Sequence, residues 1–191
     1  MPRLHIAQND RADAVISGHS FGLLVGMLLE QQIAMEVAFS GPAKIYDRFG
    51  TLDPTKIAAI EPGEFVEKCT TPLALHRYGR SMAERVQKLA VAVRDDYDGD
   101  TRAIWATDDA AELLRRLKAL PGFGDQKARI FAALLGKRLD VRPDGWRKSV
   151  GPYAEDGSFR SVADVVDADS LQKVRETKRE MKAAKKAAAR S

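Results

Sequence analysis

The chain has 191 residues, a mass of 21.0 kDa and 45% apolar content, enough to bury a real core and too ordered in composition for a disordered protein. No segment reaches the roughly 18 uncharged apolar residues of a membrane helix, and the N-terminus MPRLHIAQNDRAD lacks the apolar stretch of a signal peptide, so the expectation is a soluble, cytoplasmic monomer with no membrane. The single cysteine, Cys69, excludes an internal disulfide, a thiolate zinc site and a four-cysteine iron–sulfur cluster, and reads as a small buried apolar residue. Net charge is only +4, but it is segregated: residues 171–191 carry +6, residues 115–148 carry +7, and the remainder carries −9. Concentrated positive charge on an otherwise acidic protein is the footprint expected for a phosphate backbone, which makes nucleic acid the leading partner.

Helical periodicity dominates from end to end. Phe21 to Leu29 is almost wholly apolar, with Ser20 as a cap and Glu30, Gln31 and Gln32 following, so it predicts a central helix buried on most sides. A helix over 35–48 should stop at Gly50, Asp53-Pro54 should cap and open another, and Glu61-Pro62-Gly63 a further short one. Residues 81–97 predict a long amphipathic helix through Met82, Val86, Leu89, Val91 and Val93. Asp109 followed by Glu112 has capping-box spacing before Leu113, Leu114, Leu117 and Leu120, while Ile130, Phe131, Leu134 and Leu135 define a helix closing at Gly136 or the basic residues after it. Residues 109–137 are therefore helix, glycine hairpin, helix. Residues 150–160 read as a loop, and 161–190 as a short helix running into an Ala/Lys/Arg helix whose basic part, with little to bury, should lie outside the core and add nonspecific affinity. With no strand-rich region and no internal repeat, the class is all-α.

The hairpin LPGFGDQKA carries the chemistry. Gly122 and Gly124 can take positive φ and leave no side chain between a phosphate and the N–H groups opening the next helix, with Lys118, Lys127 and Arg129 supplying positive charge around it. Contacts of that kind hold DNA by its backbone without reading bases. The same residues would also serve as an ordinary helix-packing corner.

LPGFGDQKA resembles the helix-hairpin-helix of the HhH-GPD superfamily of DNA glycosylases, which includes endonuclease III and the 3-methyladenine glycosylases, and FGLLVGMLLEQQIA resembles its apolar helix ending in a glutamine-containing turn. The resemblance spans roughly residues 20–150 and implies a two-lobed helical fold with an active-site cleft between the lobes: residues 20–137 as one, 1–19 with 138–170 as the other, and 171–191 as a basic tail. It implies double-stranded DNA with a damaged or modified base as substrate. The family's essential aspartate, at its characteristic distance from Leu120, falls on Asp144, to stabilise an oxocarbenium-like sugar and direct the attacking water. Gln32, beside Gln31, takes the wedge position that fills the gap left by an extruded base. Gly122, Phe123, Gly124, Gln126, Lys127 and Arg129 become DNA-binding positions. Glu30, His76, Tyr78 and Trp146, with Phe21, are candidates for lining a base pocket, although each is also a plausible core or surface residue.

Departures from the family pattern refine this reading. The lysine nucleophile of strand-cleaving members is replaced by Gln126, which predicts a monofunctional enzyme; Lys127 is one position on, turned about 100° around the helix, and no simple substitute. Iron–sulfur cysteines are absent, no metal site is expected, and a monovalent cation at the hairpin is the one cofactor compatible with the motif. The altered neighbours of Asp144 leave open a second reading, a non-catalytic helix-hairpin-helix DNA-binding protein on a degenerate glycosylase scaffold. A protein-assembly role would leave both basic segments unexplained.

Overall fold

The computed structural model describes residues 2–188; the last three positions of the predicted basic tail, Arg190 among them, lie outside the described residues. Ten α-helices account for the described chain, joined by short 3₁₀ segments at 101–105, 151–154 and 162–164 and containing no strand. Helix α1 (Asp10–Gly18), which has no strong periodic signal, is capped by the Asn9 side chain and packs on α2 (Ser20–Leu29) and α3 (Met35–Phe49). Nine of the ten residues of α2 are buried, as its composition requires. Ser20 is its first helical residue rather than its cap, a place taken by His19.

Short-range signals set the next elements. Asp53 caps α4 (Pro54–Ala59) through Thr55 and Lys56 N–H groups, Glu61 caps α5 (Pro62–Thr70), and both helices open with proline, whose fixed φ suits the first turn. They pack against α6 (Gly79–Tyr97), the long amphipathic helix, which presents Met82, Val86, Leu89 and Val93 to the interior. Helix α7 (Ala110–Ala119) starts at Asp109, whose carboxylate accepts from Ala111 and Glu112 N–H. The reciprocal half of the expected capping box does not form, because Glu112 turns to Arg115 and Arg116, which hold its carboxyl down at about 2.

Helix α8 (Asp125–Arg138) runs through Gly136 instead of stopping there. That glycine serves close approach: a Cβ on it would lie 2.3 Å from the indole of Trp146, which opens α9 (Trp146–Val150). The expected loop at 150–160 contains one 3₁₀ turn, and helix α10 (Ala168–Ala188) is a single helix of 21 residues. Its first turns are anchored in the core, and its basic part after Val174 has no buried residue among those described. Ser170, Leu171 and Val174 are buried, and one hydrophobic cluster extends from Leu4 to Val174.

Candidate nucleic-acid interface

Three segments distant in sequence form a groove of about 780 Å³: the end of α2 with its following turn, the glycine hairpin with the first turns of α8, and the second half of α10. Glu30 and Gln31 line it from the first, Gly122, Gly124, Gln126 and Lys127 from the second, and Lys178, Met181, Lys182 and Lys185 from the third. Arg85, Tyr153 and Arg160 complete the basic rim, so six basic side chains face two acidic ones, Glu30 and Asp125. Such a balance suits a polyanion.

The glutamine turn is rigidly braced. Gln32 adopts φ +58°, and its side-chain carbonyl accepts from the Tyr78 hydroxyl at 3.0 Å. Gln31 accepts from Arg85 at 2.9 Å. His76 lies beneath, 4% exposed; its Nδ1 accepts from Tyr78 N–H, so its Nε2 carries the proton and donates to the Gln31 main-chain oxygen at 3.1 Å. Burial lowers its pKa, which favours this neutral form. His76 therefore supports the turn and has no face free for a base, which corrects the pocket assignment; Tyr78, 42% exposed beside it, keeps surface to offer. Phe21, 3% exposed, and Trp146, 4% exposed, are core residues. Trp146 Nε1 donates to Ala132 O at 2.9 Å, and its ring packs on Gly136 with the guanidinium groups of Arg142 and Arg147 within 6 Å of its centre, away from the groove lining.

At the hairpin, Gly122 has φ +82° and Gly124 does not: with φ −81° and ψ 177° it is the extended N-cap of α8. A Cβ on Gly122 would sit 2.4 Å from Leu28 Cδ1, whereas one on Gly124 would meet nothing within 4 Å. The first glycine thus answers to geometry and packing. The second leaves open space above first-turn N–H groups that no side chain caps. Phe123, 4% exposed and edge-on to Phe131, belongs to the core and not to the DNA-binding surface.

The hairpin cations are directed elsewhere than the sequence suggests. Arg129 binds Asp125 at 2.8 Å and Ser149 O at 2.6 Å, and Lys118 reaches Asp125 at 3.5 Å. Arg129 first, then Lys118, lowers the Asp125 pKa, so this carboxylate is compensated at the mouth of the site. Gln126 donates to the Tyr153 hydroxyl at 3.1 Å. Lys127 crosses to the last turn of α2, where its ammonium donates to Leu28 O at 2.8 Å; burial is the main reason its pKa falls to about 8. Gln126 and Lys127 consequently line the same groove despite their 100° separation on the helix.

Helix α10 is latched over the glutamine turn by Lys178 to Glu30 at 2.6 Å and by Arg175 to Glu36. Both acceptors flank Gln31 and Gln32. Lys182 and Lys185, one and two turns further on, are exposed and form no ion pair among the described residues. This wall of the groove has no sequence signal beyond its positive charge, and neither has Arg85, whose neighbours on α6 read only as core periodicity.

Asp144 lies outside the groove lining. After α8 only six residues, 139–144, return the chain, and they reach the start of α7, where Asp144 N–H donates to Asp108 O at 2.8 Å and Asp144 O accepts from Ala110 N–H at 3.1 Å. Its backbone is fixed on both sides, and its exposed carboxylate has no hydrogen bond or ion pair among the described residues. It does not cap α9, whose N-cap is Gly145 in the left-handed region. Cys69 is fully buried, with its thiol pushed up to about 11, and no group of three or more metal-ligating side chains occurs among the described residues.

The family model of HhH-GPD superfamily base excision DNA repair proteins matches residues 25–189, from within α2 through the hairpin to the end of α10. No curated protein and no solved structure matches the chain. The braced glutamine turn, the glycine hairpin and the latched basic helix lie within the matched span, and the chain belongs to the HhH-GPD superfamily of base excision DNA repair proteins.

Proposed function

We propose that the protein is a monofunctional DNA glycosylase, releasing a damaged or modified base by hydrolysis of its N-glycosidic bond. The observation that carries this reading is the groove itself, in which Gln31 of the braced turn, an uncapped helix start behind Gly124 and the basic face of α10 converge, with Gln32 next in the chain and held by Tyr78. Phosphate would be held at the hairpin, and the glutamine turn would fill the space left as the nucleotide rotates out, offsetting part of the few kcal/mol that unstacking costs. Gln126 has no nucleophilic amine, so water is the attacking group.

For the carboxylate that stabilises the oxocarbenium-like sugar, the proposal takes Asp144, supported by the family spacing and by a pinned backbone that presents an unpaired side chain. A second reading gives that role to Glu30, which stands inside the groove with only 10% of its side chain exposed. The hairpin cation allowed by the motif would be held by main-chain carbonyls of the 120–125 turn, of which Leu120 O already accepts from Phe123 N–H, and no step depends on it.

The test is incubation with duplexes carrying uracil, hypoxanthine, 3-methyladenine, 8-oxoguanine or mismatched adenine, followed by alkali to reveal abasic sites, with Asp144→Asn and Glu30→Gln in parallel. Base release lost by orders of magnitude in Asp144→Asn, with duplex binding kept, is the expected result. Loss in Glu30→Gln alone moves the role to Glu30. Strand cleavage without alkali excludes a monofunctional enzyme, and no release from any duplex by a protein that binds them favours the non-catalytic scaffold.

A further inference from the structure

We propose that the groove selects neutral bases presenting a carbonyl beside a ring N–H, the pattern of uracil and hypoxanthine, and rejects cationic alkylated purines, with the Lys127 ammonium stabilising the departing base. This names a substrate class for the glycosylase reading above and rests on that reading for the reaction. The two classes of base make opposite demands. A cationic alkylpurine departs as a neutral molecule, and what recognises its charge beforehand is an open aromatic face or a free carboxylate. A neutral base keeps the electron pair of the broken C1′–N bond and departs as an anion, so it needs positive charge where that pair spreads.

For a cation the groove has nothing free. Glu30 is paired with Lys178 at 2.6 Å, and Asp125 is held by Arg129 at 2.8 Å and Lys118 at 3.5 Å. Among the described residues Tyr153 is the one aromatic side chain in the lining, and it is half-buried against the core. Phe21, His76 and Trp146 are buried, and the exposed ring of Tyr78 already carries the Arg77 guanidinium 4.9 Å from its centre. For an anion the balance is reversed. Arg85, Lys127, Lys182 and Lys185 all line the groove with no carboxylate in ion-pair distance among the described residues.

Of these four, Lys127 is the half-buried one, and a charge screened less by water acts more strongly on its neighbours. One N–H of its ammonium is spent on Leu28 O, one helical turn before Gln31, and the other two have no acceptor among the described residues. Burial is the main influence bringing its pKa to about 8, with Glu30 raising it and Arg85 lowering it, so the ammonium form still predominates at pH 7. Beside it, Gln126 Nε2 donates to the Tyr153 hydroxyl at 3.1 Å. That bond leaves the hydroxyl proton of Tyr153 and the side-chain carbonyl of Gln126 unused, a donor next to an acceptor. A carbonyl beside a ring N–H matches that pair, and the same carbonyl oxygen takes up negative charge as the base departs. Met27, Ile130 and Met181 supply apolar surface for the faces of the ring.

In the step, the C1′–N bond breaks with its electron pair passing to the base. Water bonds to C1′ through its oxygen, and the proton it sheds ends on the base, so nucleotide and water give free base and an abasic sugar. Lys127 forms no covalent bond and keeps its protons.

The test has two arms. The first measures binding of the full chain to duplexes made unreactive by a 2′-fluorine and carrying uracil, hypoxanthine or 7-methylguanine, the last of which has the same carbonyl and ring N–H but a positive charge. Relative to an unmodified duplex, the uracil and hypoxanthine duplexes should bind about tenfold or more tighter than the 7-methylguanine duplex. The second arm measures single-turnover release of uracil and of 5-fluorouracil, whose anion is the more stable. Lys127→Met should slow uracil release by about tenfold or more and 5-fluorouracil release by less, and Lys127→Arg, which keeps the charge, should lose less than Lys127→Met. A lysine that only caps the last carbonyls of α2 would slow both bases equally. Equal losses for the two bases would therefore overturn the role of Lys127, and 7-methylguanine bound as tightly as uracil would overturn the selection, whatever is released. Release of no base by a protein that shows the binding preference would refute the glycosylase reading while supporting the selection.

Discussion

The two hairpin glycines answer to different demands, and alanine separates them. At Gly122 the backbone is left-handed, where a Cβ costs roughly 1–2 kcal/mol, and the added methyl would also meet Leu28 Cδ1 at 2.4 Å, forcing that side chain to move. Because the leucine end is flexible, the combined loss should be about 1–3 kcal/mol, and at about 2–4 °C per kcal/mol for a chain of this size the melting temperature should fall by roughly 2–12 °C. At Gly124 the backbone is ordinary and the Cβ meets nothing, so Gly124→Ala should leave the melting temperature unchanged or raise it slightly by restricting the unfolded chain. Its methyl would instead stand where a phosphate approaches the uncapped N–H groups of α8, weakening binding to every duplex alike. Thermal melts and duplex titrations at one salt concentration, run on both variants, measure the two effects separately. A Gly122→Ala protein as stable as the parent would refute the packing argument, and a Gly124→Ala protein with parental duplex affinity would refute the phosphate site.

Trp146→Ala should lose about 3–5 kcal/mol on denaturant unfolding, because it empties the space against Gly136 and removes the indole bond to Ala132 O; a mild stability loss would show that this ring is not core. Deleting residues 178–191 removes the Lys178–Glu30 latch and one groove wall but spares the buried Leu171 and Val174, so the melting temperature should drop only slightly while log affinity becomes less steep in log salt by about one for each lost phosphate contact. An unchanged salt slope would place α10 away from the DNA. The folded pKa of Lys127, about 8, lies below its unfolded value, so between pH 8 and roughly 10.5 the unfolded chain alone binds the proton and this residue's contribution to stability rises with pH. The melting temperature of the parent relative to Lys127→Met should therefore climb from pH 8 to pH 10, and parallel curves would contradict the depressed pKa.

Capping signals and apolar periodicity are short-range, and they sufficed for what depends on neighbours in the chain. Asp53 with Pro54, Glu61 with Pro62, Asp109 before its leucine run and the all-apolar Phe21–Leu29 stretch each define a helix within a few residues of where it lies, and LPGFG with EQQ placed the hairpin and the glutamine turn. Of the two stops the sequence offers for α8, the basic residues close it and Gly136 serves close approach, while Trp146 and Phe123 are buried, and a buried aromatic looks like a stacking surface until the packing partner is known. Direction of side chains was decided only in three dimensions. Lys127 bonds to a carbonyl 99 positions away, and Lys178 to a carboxylate 148 positions away. No periodicity connects residues so far apart. The basic C-terminal segment is uninformative alone because its few apolar residues, Leu171 and Val174, anchor it just enough for two ion pairs to set the remainder of the helix over the groove. Composition established that this protein is helical, basic in two places and suited to DNA, while the groove exists only because tertiary packing brings α2, α8 and α10 to one point.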